Sequence, residues 1–130
     1  MGLDNSILIK RTTASPKALA TFDQGWTKQY NYDLEVAYWR KCWNVRSIIL
    51  STINACTSNN SEFALNREIL GRIIKELSHF NRINYEDRGH TDWNWCDFRK
   101  FHRRNLRALR KLYTMMGKDE DMKIYFYDSY

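Results

Sequence analysis

The chain has 130 residues, 43% of them apolar and 15% aromatic, with five Trp and eight Tyr. That length supports one hydrophobic core without metal or disulfide staples, and the apolar content argues against extended disorder. Net charge is +6 with a pI near 9.3, which favours acidic partners: nucleic acid, an anionic protein face or a phosphorylated ligand.

Cys42, Cys56 and Cys96 have no C-x-x-C spacing, so they read as reduced thiols in a cytosolic compartment and not as a disulfide framework. There is no apolar run long enough to span a membrane, and no leader is expected. The opening "MGLDNS" matches the N-myristoylation pattern through Gly2 and Ser6, against the plainer reading of a turn before a strand.

In chain order, "SILIKRT" (6–12) is a β-branched, apolar run and predicts a strand. Residues 12–34 hold the only Pro and no helical period; they predict a long connection whose Phe22, Trp26, Tyr30 and Tyr32 settle on the body. Residues 36–56 predict a helix, because Tyr38, Trp39, Cys42, Trp43, Val45, Ile49, Leu50, Ile53 and Cys56 share one arc at 100° per residue. "CTSNNSE" then breaks the period. A second helix is predicted from Asn66, its N-cap, to Phe80, with Ile69, Leu70, Ile73, Ile74, Leu77 and Phe80 on one face.

A third helix is predicted from Trp93 to Met116, capped by Thr91 or Asp92 and closed by Gly117. Its apolar arc is Trp95, Phe98, Leu106, Leu109, Leu112, Tyr113 and Met116. The ending "MKIYFYDSY" alternates Met122, Ile124 and Phe126 with Lys123, Tyr125 and Tyr127, the pattern of a half-buried strand. Residues 1–130 therefore read as a single α+β domain: three amphipathic helices packed with a small sheet formed by the N- and C-terminal strands.

The strongest functional signal is in the third helix. Arg99, Lys100, Arg103, Arg104, Arg107, Arg110 and Lys111 are seven bases with no acid among them, within one arc of roughly 140° at helical pitch. Without them the net charge would turn slightly negative. Five are Arg, which suits bidentate recognition of phosphate or carboxylate. The plainer reading is a solvated face neutralised by acids such as Glu68, Glu76, Glu86 and Asp87. No helix-turn-helix, zinc-finger or RNA-recognition motif accompanies the helix, so base-specific reading is not expected.

Arg46 falls inside the apolar arc of the first helix. It either meets a carboxylate or projects to a cleft beside Tyr38, Trp39, Arg40 and Trp43. In "EDRGHTDWNWCD", the residues Glu86, Asp87, His90, Asp92, Cys96 and Asp97 do not form a recognised ligand set, so no metal is expected and no cofactor either. His102 sits on an apolar face, as a hydrogen-bonded core histidine does, and His79 points outward. No catalytic triad or phosphate loop can be assembled.

The start Met1-Gly2-Leu3-Asp4, the run Tyr38-Trp39-Arg40-Lys41 and the ending "YFYDSY" resemble a family of small uncharacterised proteins from bacteriophages and prophages. The resemblance spans most of the chain and implies a phage-associated accessory role in the cytoplasm of a bacterial host, without implying an activity. Two departures are Trp43 and Arg46, where the family pattern has a smaller polar residue and a His; a third helix so basic is another. Three functions follow as expectations. The first is a binding protein that occupies an acidic host protein, such as a defence component, through the basic helix. The second is non-sequence-specific binding of nucleic acid, and the third a small-ligand binder or enzyme with its site at Arg46. An exposed aromatic loop would make a dimer plausible.

Overall fold

The computed structural model describes residues 3–23, 33–55, 61–80 and 94–129. Among these the order is β1 (Asp4–Ile9), a 3-10 turn (Arg11–Thr13), α1 (Pro16–Phe22), β2 (Leu34–Arg40), α2 (Trp43–Ile53), β3 (Ser61–Leu65), α3 (Arg67–Ser78), α4 (Trp95–Met116) and β4 (Ile124–Ser129). The fold is α+β, with four helices and a four-stranded antiparallel sheet of order β2-β1-β4-β3. The two terminal strands pair at the centre of the sheet, and β2 and β3 extend it at either edge.

The expected helix over 36–56 is corrected: residues 34–40 form a strand and the helix starts at Trp43. Glu35 pairs with Leu8 and Ala37 with Ile7, so Val36 is an extra residue, a β-bulge. The bulge puts Leu34, Val36, Ala37 and Trp39 all out of water, which breaks the two-residue alternation and imitates a helical period. Lys41 then turns the chain with φ 54.

The connection over 12–34 is corrected in part, because Pro16–Phe22 is helical. Ser15 caps it by accepting from the Ala18 N–H, with Pro at the first position. Phe22 is buried; Trp26, Tyr30 and Tyr32 lie outside the described residues, as does Gly2. The strand β3 was not expected, since five residues are too few to show a period; its Phe63 stacks on Phe126 at 6.3 Å between centroids. Asn66 caps α3 as expected, accepting from the Ile69 N–H.

The core lies between one sheet face, bearing Ile7, Ile9, Trp39, Ile124 and Phe126, and the helices, which contribute Val45, Ile49, Leu70, Ile73, Leu77 and the inner face of α4. Residues near the start of the chain and the Tyr38-Trp39-Arg40-Lys41 run meet in this sheet. The Lys41 N–H donates to the Leu3 carbonyl at 2.7 Å, and the Tyr38 hydroxyl donates to the Asp4 carboxylate. Asp4, Tyr38–Arg40 and Tyr125–Ser129 thus lie on neighbouring strands.

Candidate functional site

Helix α4 is capped by Asn94, whose side chain accepts from the Asp97 N–H at 2.9 Å and donates to the Asp97 carboxylate at 3.0 Å. Thr91 and Asp92, the expected caps, lie outside the described residues. The last turn ends at Gly117 as expected, but in right-handed conformation (φ −67). Its lack of a side chain serves a close approach instead, because a Cβ there would lie 3.0 Å from the Arg67 guanidinium.

The inner face of α4 buries Phe98, His102, Leu106, Leu109, Leu112 and Met115. Burying each large apolar side chain is worth about 1.5–3 kcal/mol. Like-charge neighbours four residues apart, such as Arg99 with Arg103 and Arg103 with Arg107, cost only about 0.2–0.5 kcal/mol per pair. Burial wins, so the helix tolerates its charge.

Arg99, Lys100, Arg103, Arg104, Arg107, Arg110 and Lys111 are all exposed. Among the described residues none of them forms an ion pair, whereas Arg11 pairs with Asp23 and Arg46 with Asp128. Glu68 and Glu76 are exposed on α3, and Glu86 and Asp87 lie outside the described residues. The bases run from Arg99 to Lys111, about 18 Å at 1.5 Å per residue, so they form a ribbon along the middle of α4.

Three depressions follow the ribbon. One, of about 780 Å³, runs along its centre between Cys96 and Arg110. A second, of about 500 Å³, lies between α3 and α4 and adds Arg72 and Lys75 to Arg110. The third, of about 880 Å³, is bounded by α1, the edge of β2 and α4. It brings Lys17 beside Arg104, Arg107 and Lys111, over a floor of Phe22, Val36, Ala108 and Met115. Lys17, Arg72 and Lys75 were not legible as part of the surface, because they come from helices whose placement sequence spacing cannot give.

Of the five residues considered for a cleft, Trp43 and Arg46 lie together, while Tyr38 and Trp39 are engaged elsewhere. Tyr38 bonds Asp4, and burial together with that bond raises its phenol pKa. Trp39 is fully buried and donates its indole N–H to His102 Nδ1 at 3.2 Å. Arg40 is exposed at the end of β2. Trp43 is 38% exposed at the start of α2, with the Arg46 guanidinium 5.3 Å from its ring.

Arg46 grips the buried Asp128 with two hydrogen bonds, Nε to Oδ1 at 2.8 Å and Nη2 to Oδ2 at 3.0 Å. Asn5 donates a further bond to Oδ1 at 2.6 Å. Asp128 follows Ile124 and Phe126 at strand period, so alternation alone places it on the core face. That is the signal by which the acid could have been found.

His102 is stacked on Phe98 at 4.9 Å. Its Nδ1 accepts from Trp39, which leaves Nε2 as the donor to the Leu77 carbonyl at 3.1 Å. Burial lowers its pKa, against the opposing effect of the Leu77 bond. Glu35 accepts from the Ser6 hydroxyl at 3.0 Å; burial raises its pKa, Ser6 moderates the rise and the Asp4 charge adds to it.

Among the described residues no group of His, Cys, Asp and Glu could hold a metal ion, and no helix is long and apolar enough to cross a membrane. Cys96 and Asp97 are exposed at the start of α4; Glu86, Asp87, His90 and Asp92 lie outside the described residues. No protein-family model matches the chain, nor does any curated protein or solved structure.

Proposed function

We propose that the protein is a phage-type accessory binding protein that occupies an acidic face of a host protein, in the bacterial cytoplasm, through the ribbon of bases on α4. One observation carries this reading: seven exposed bases on one helix face, none in an ion pair among the described residues. Such a field steers an anionic partner and sets register, while the packed inner face of α4 keeps the ribbon rigid. The resemblance of the "MGLD", "YWRK" and "YFYDSY" runs supports the phage setting.

The second reading, nucleic acid, is favoured by the same charges. Single-strand binders interleave bases with exposed rings on which nucleobases stack. The large exposed apolar residues among those described are Tyr38 and Trp43, neither of them on α4, so the acidic protein is the better reading.

The experiment is capture from bacterial lysate with and without nuclease, using the native chain and an Arg103→Glu, Arg107→Glu, Arg110→Glu variant. A partner retained after nuclease and lost from the folded variant is the expected result. Capture that nuclease abolishes selects the nucleic-acid reading, and capture the variant retains removes α4 from the account.

A further inference from the structure

We infer that the groove between α1, the bulged edge of β2 and α4 is the seat for one acidic, amphipathic peptide segment of the partner. An aliphatic side chain lies on the floor over Ala108 and carboxylates meet the flanking bases. The inference rests on the reading of α4 as a partner-binding surface and names where and how that partner is held.

The depression between α3 and α4 also has bases from two helices, around Ile74 and Tyr113, but at about 500 Å³ it is smaller and Glu68 shares its rim. The groove beside α1 joins a floor of four apolar residues to bases of α1 and α4. Val36 and Met115 are each 8% exposed and Phe22 5%, so the floor is closely packed. Ala108, half-exposed between Arg104 and Lys111, leaves room above it. Lys17 stands on the α1 side, and Arg104, Arg107 and Lys111 on the α4 side. At about 880 Å³ the groove is within the range of roughly 300–1,000 Å³ that binding pockets occupy. The central depression, by contrast, is lined by bases of α4 alone, with Cys96 and Leu106.

Two features restrict the mode of binding. The outward backbone of β2 is clasped at Tyr38 by the Asn105 side chain. That amide donates to the Tyr38 carbonyl at 2.8 Å and accepts from the Tyr38 N–H at 3.4 Å. With the bulge at Val36, the edge is guarded in two places against strand addition. A segment read through its side chains, as an amphipathic helix is, fits this wall better than an added strand.

Glu35 also lines the groove, held by Ser6 and in no ion pair with the rim. That carboxylate opposes a phosphate chain and an acidic peptide alike, so the choice between them rests on the absence of large exposed rings on α4 among the described residues.

The test is fluorescence anisotropy at physiological salt with the full chain and three labelled probes. Two are peptides of identical Glu, Leu and Ala composition, one with Leu and Glu at helical spacing and one scrambled; the third is a single-stranded DNA oligonucleotide of equal charge. The spaced peptide is expected to bind about tenfold tighter than the scrambled one. Ala108→Glu, which fills the floor with negative charge, should abolish that ratio, as should the exposed rim variant Lys17→Glu. Arg99→Glu with Arg103→Glu should weaken both peptides and keep the ratio.

Equal binding of the two peptides, or a ratio that survives both groove variants, overturns the groove while leaving the α4 reading in place. DNA that outbinds the spaced peptide and responds to Lys17→Glu overturns the peptide. Acidic probes indifferent to Arg99→Glu, Arg103→Glu and Lys17→Glu together overturn the underlying reading as well.

Discussion

Arg46 and Arg103 carry the same guanidinium into opposite surroundings. The Arg46 side chain is 14% exposed and its partner Asp128 0%; the charge is spent inside the fold, tying α2 to β4. Arg103 stands on the outer face of α4, with no carboxylate partner among the described residues. The difference teaches where charge is structural and where it is free to act. A buried pair contributes only if both members stay, whereas an exposed like-charged row contributes nothing to folding and is held in place by the apolar face behind it.

Breaking the first half of that contrast should give the largest effect. Arg46→Ala leaves Asp128 buried and unneutralised, and should cost about 3–5 kcal/mol in urea denaturation. A loss below about 1 kcal/mol, as for a surface pair, would mean the pair is not the tie described. Breaking the second half, Arg103→Glu, Arg107→Glu and Arg110→Glu should leave the urea midpoint nearly unchanged, because exposed substitutions shift stability by about 0.5 kcal/mol or less each. An unfolded triple variant would show that the row serves the fold.

His102 sharpens the comparison within α4 itself, as a titratable group on the inner face. Its pKa is lowered in the folded state, so its contribution is complete above the unfolded value of about 6.5. It is lost as pH falls from there through the folded value. Melting curves between pH 8 and about 5 should therefore fall more steeply for the native chain than for His102→Asn. Parallel curves would remove His102 as the cause.

Asn105→Ala frees the Tyr38 backbone at the β2 edge; a net hydrogen bond is worth about 0.5–1.5 kcal/mol, and the exposed site puts the loss at the low end. Concentration-dependent sedimentation would report whether the opened edge pairs with other chains. The smallest effect is at Glu35, whose pKa is raised, so ionisation opposes folding. Glu35→Gln should be more stable than the native chain near pH 7, and the gap should close as pH falls toward 4.5, the ordinary carboxylate value. A gap that widens on acidification would reverse the assignment.

Legibility followed the length of each pattern. Helices α3 and α4 are readable because each shows several turns of apolar spacing; Asn66 is legible as the cap of α3, while α4 is capped by Asn94 and not by the expected Thr91 or Asp92. The seven bases are readable as the complement of α4's apolar arc. The strand β2 was misread because one bulged residue at Val36 replaces alternation with a spacing a helix also produces. The run "SP" at 15–16 carries a capping Ser and a first-turn Pro, a weak start signal because only six residues follow it in α1. The acid for Arg46 was present in the alternation of β4, 82 residues away, yet nothing local ties the two together.

The sequence by itself determined the α+β class, the helix α4 and the side of it that carries charge, since periodicity within one element depends only on that element's own geometry. Tertiary structure alone decided that Arg46 is spent on Asp128, that His102 joins Trp39 to Leu77, and that Lys17 and the β2 edge turn one flank of the ribbon into a groove. Those facts depend on which elements lie side by side, and that is set by packing of the whole core rather than by any local spacing.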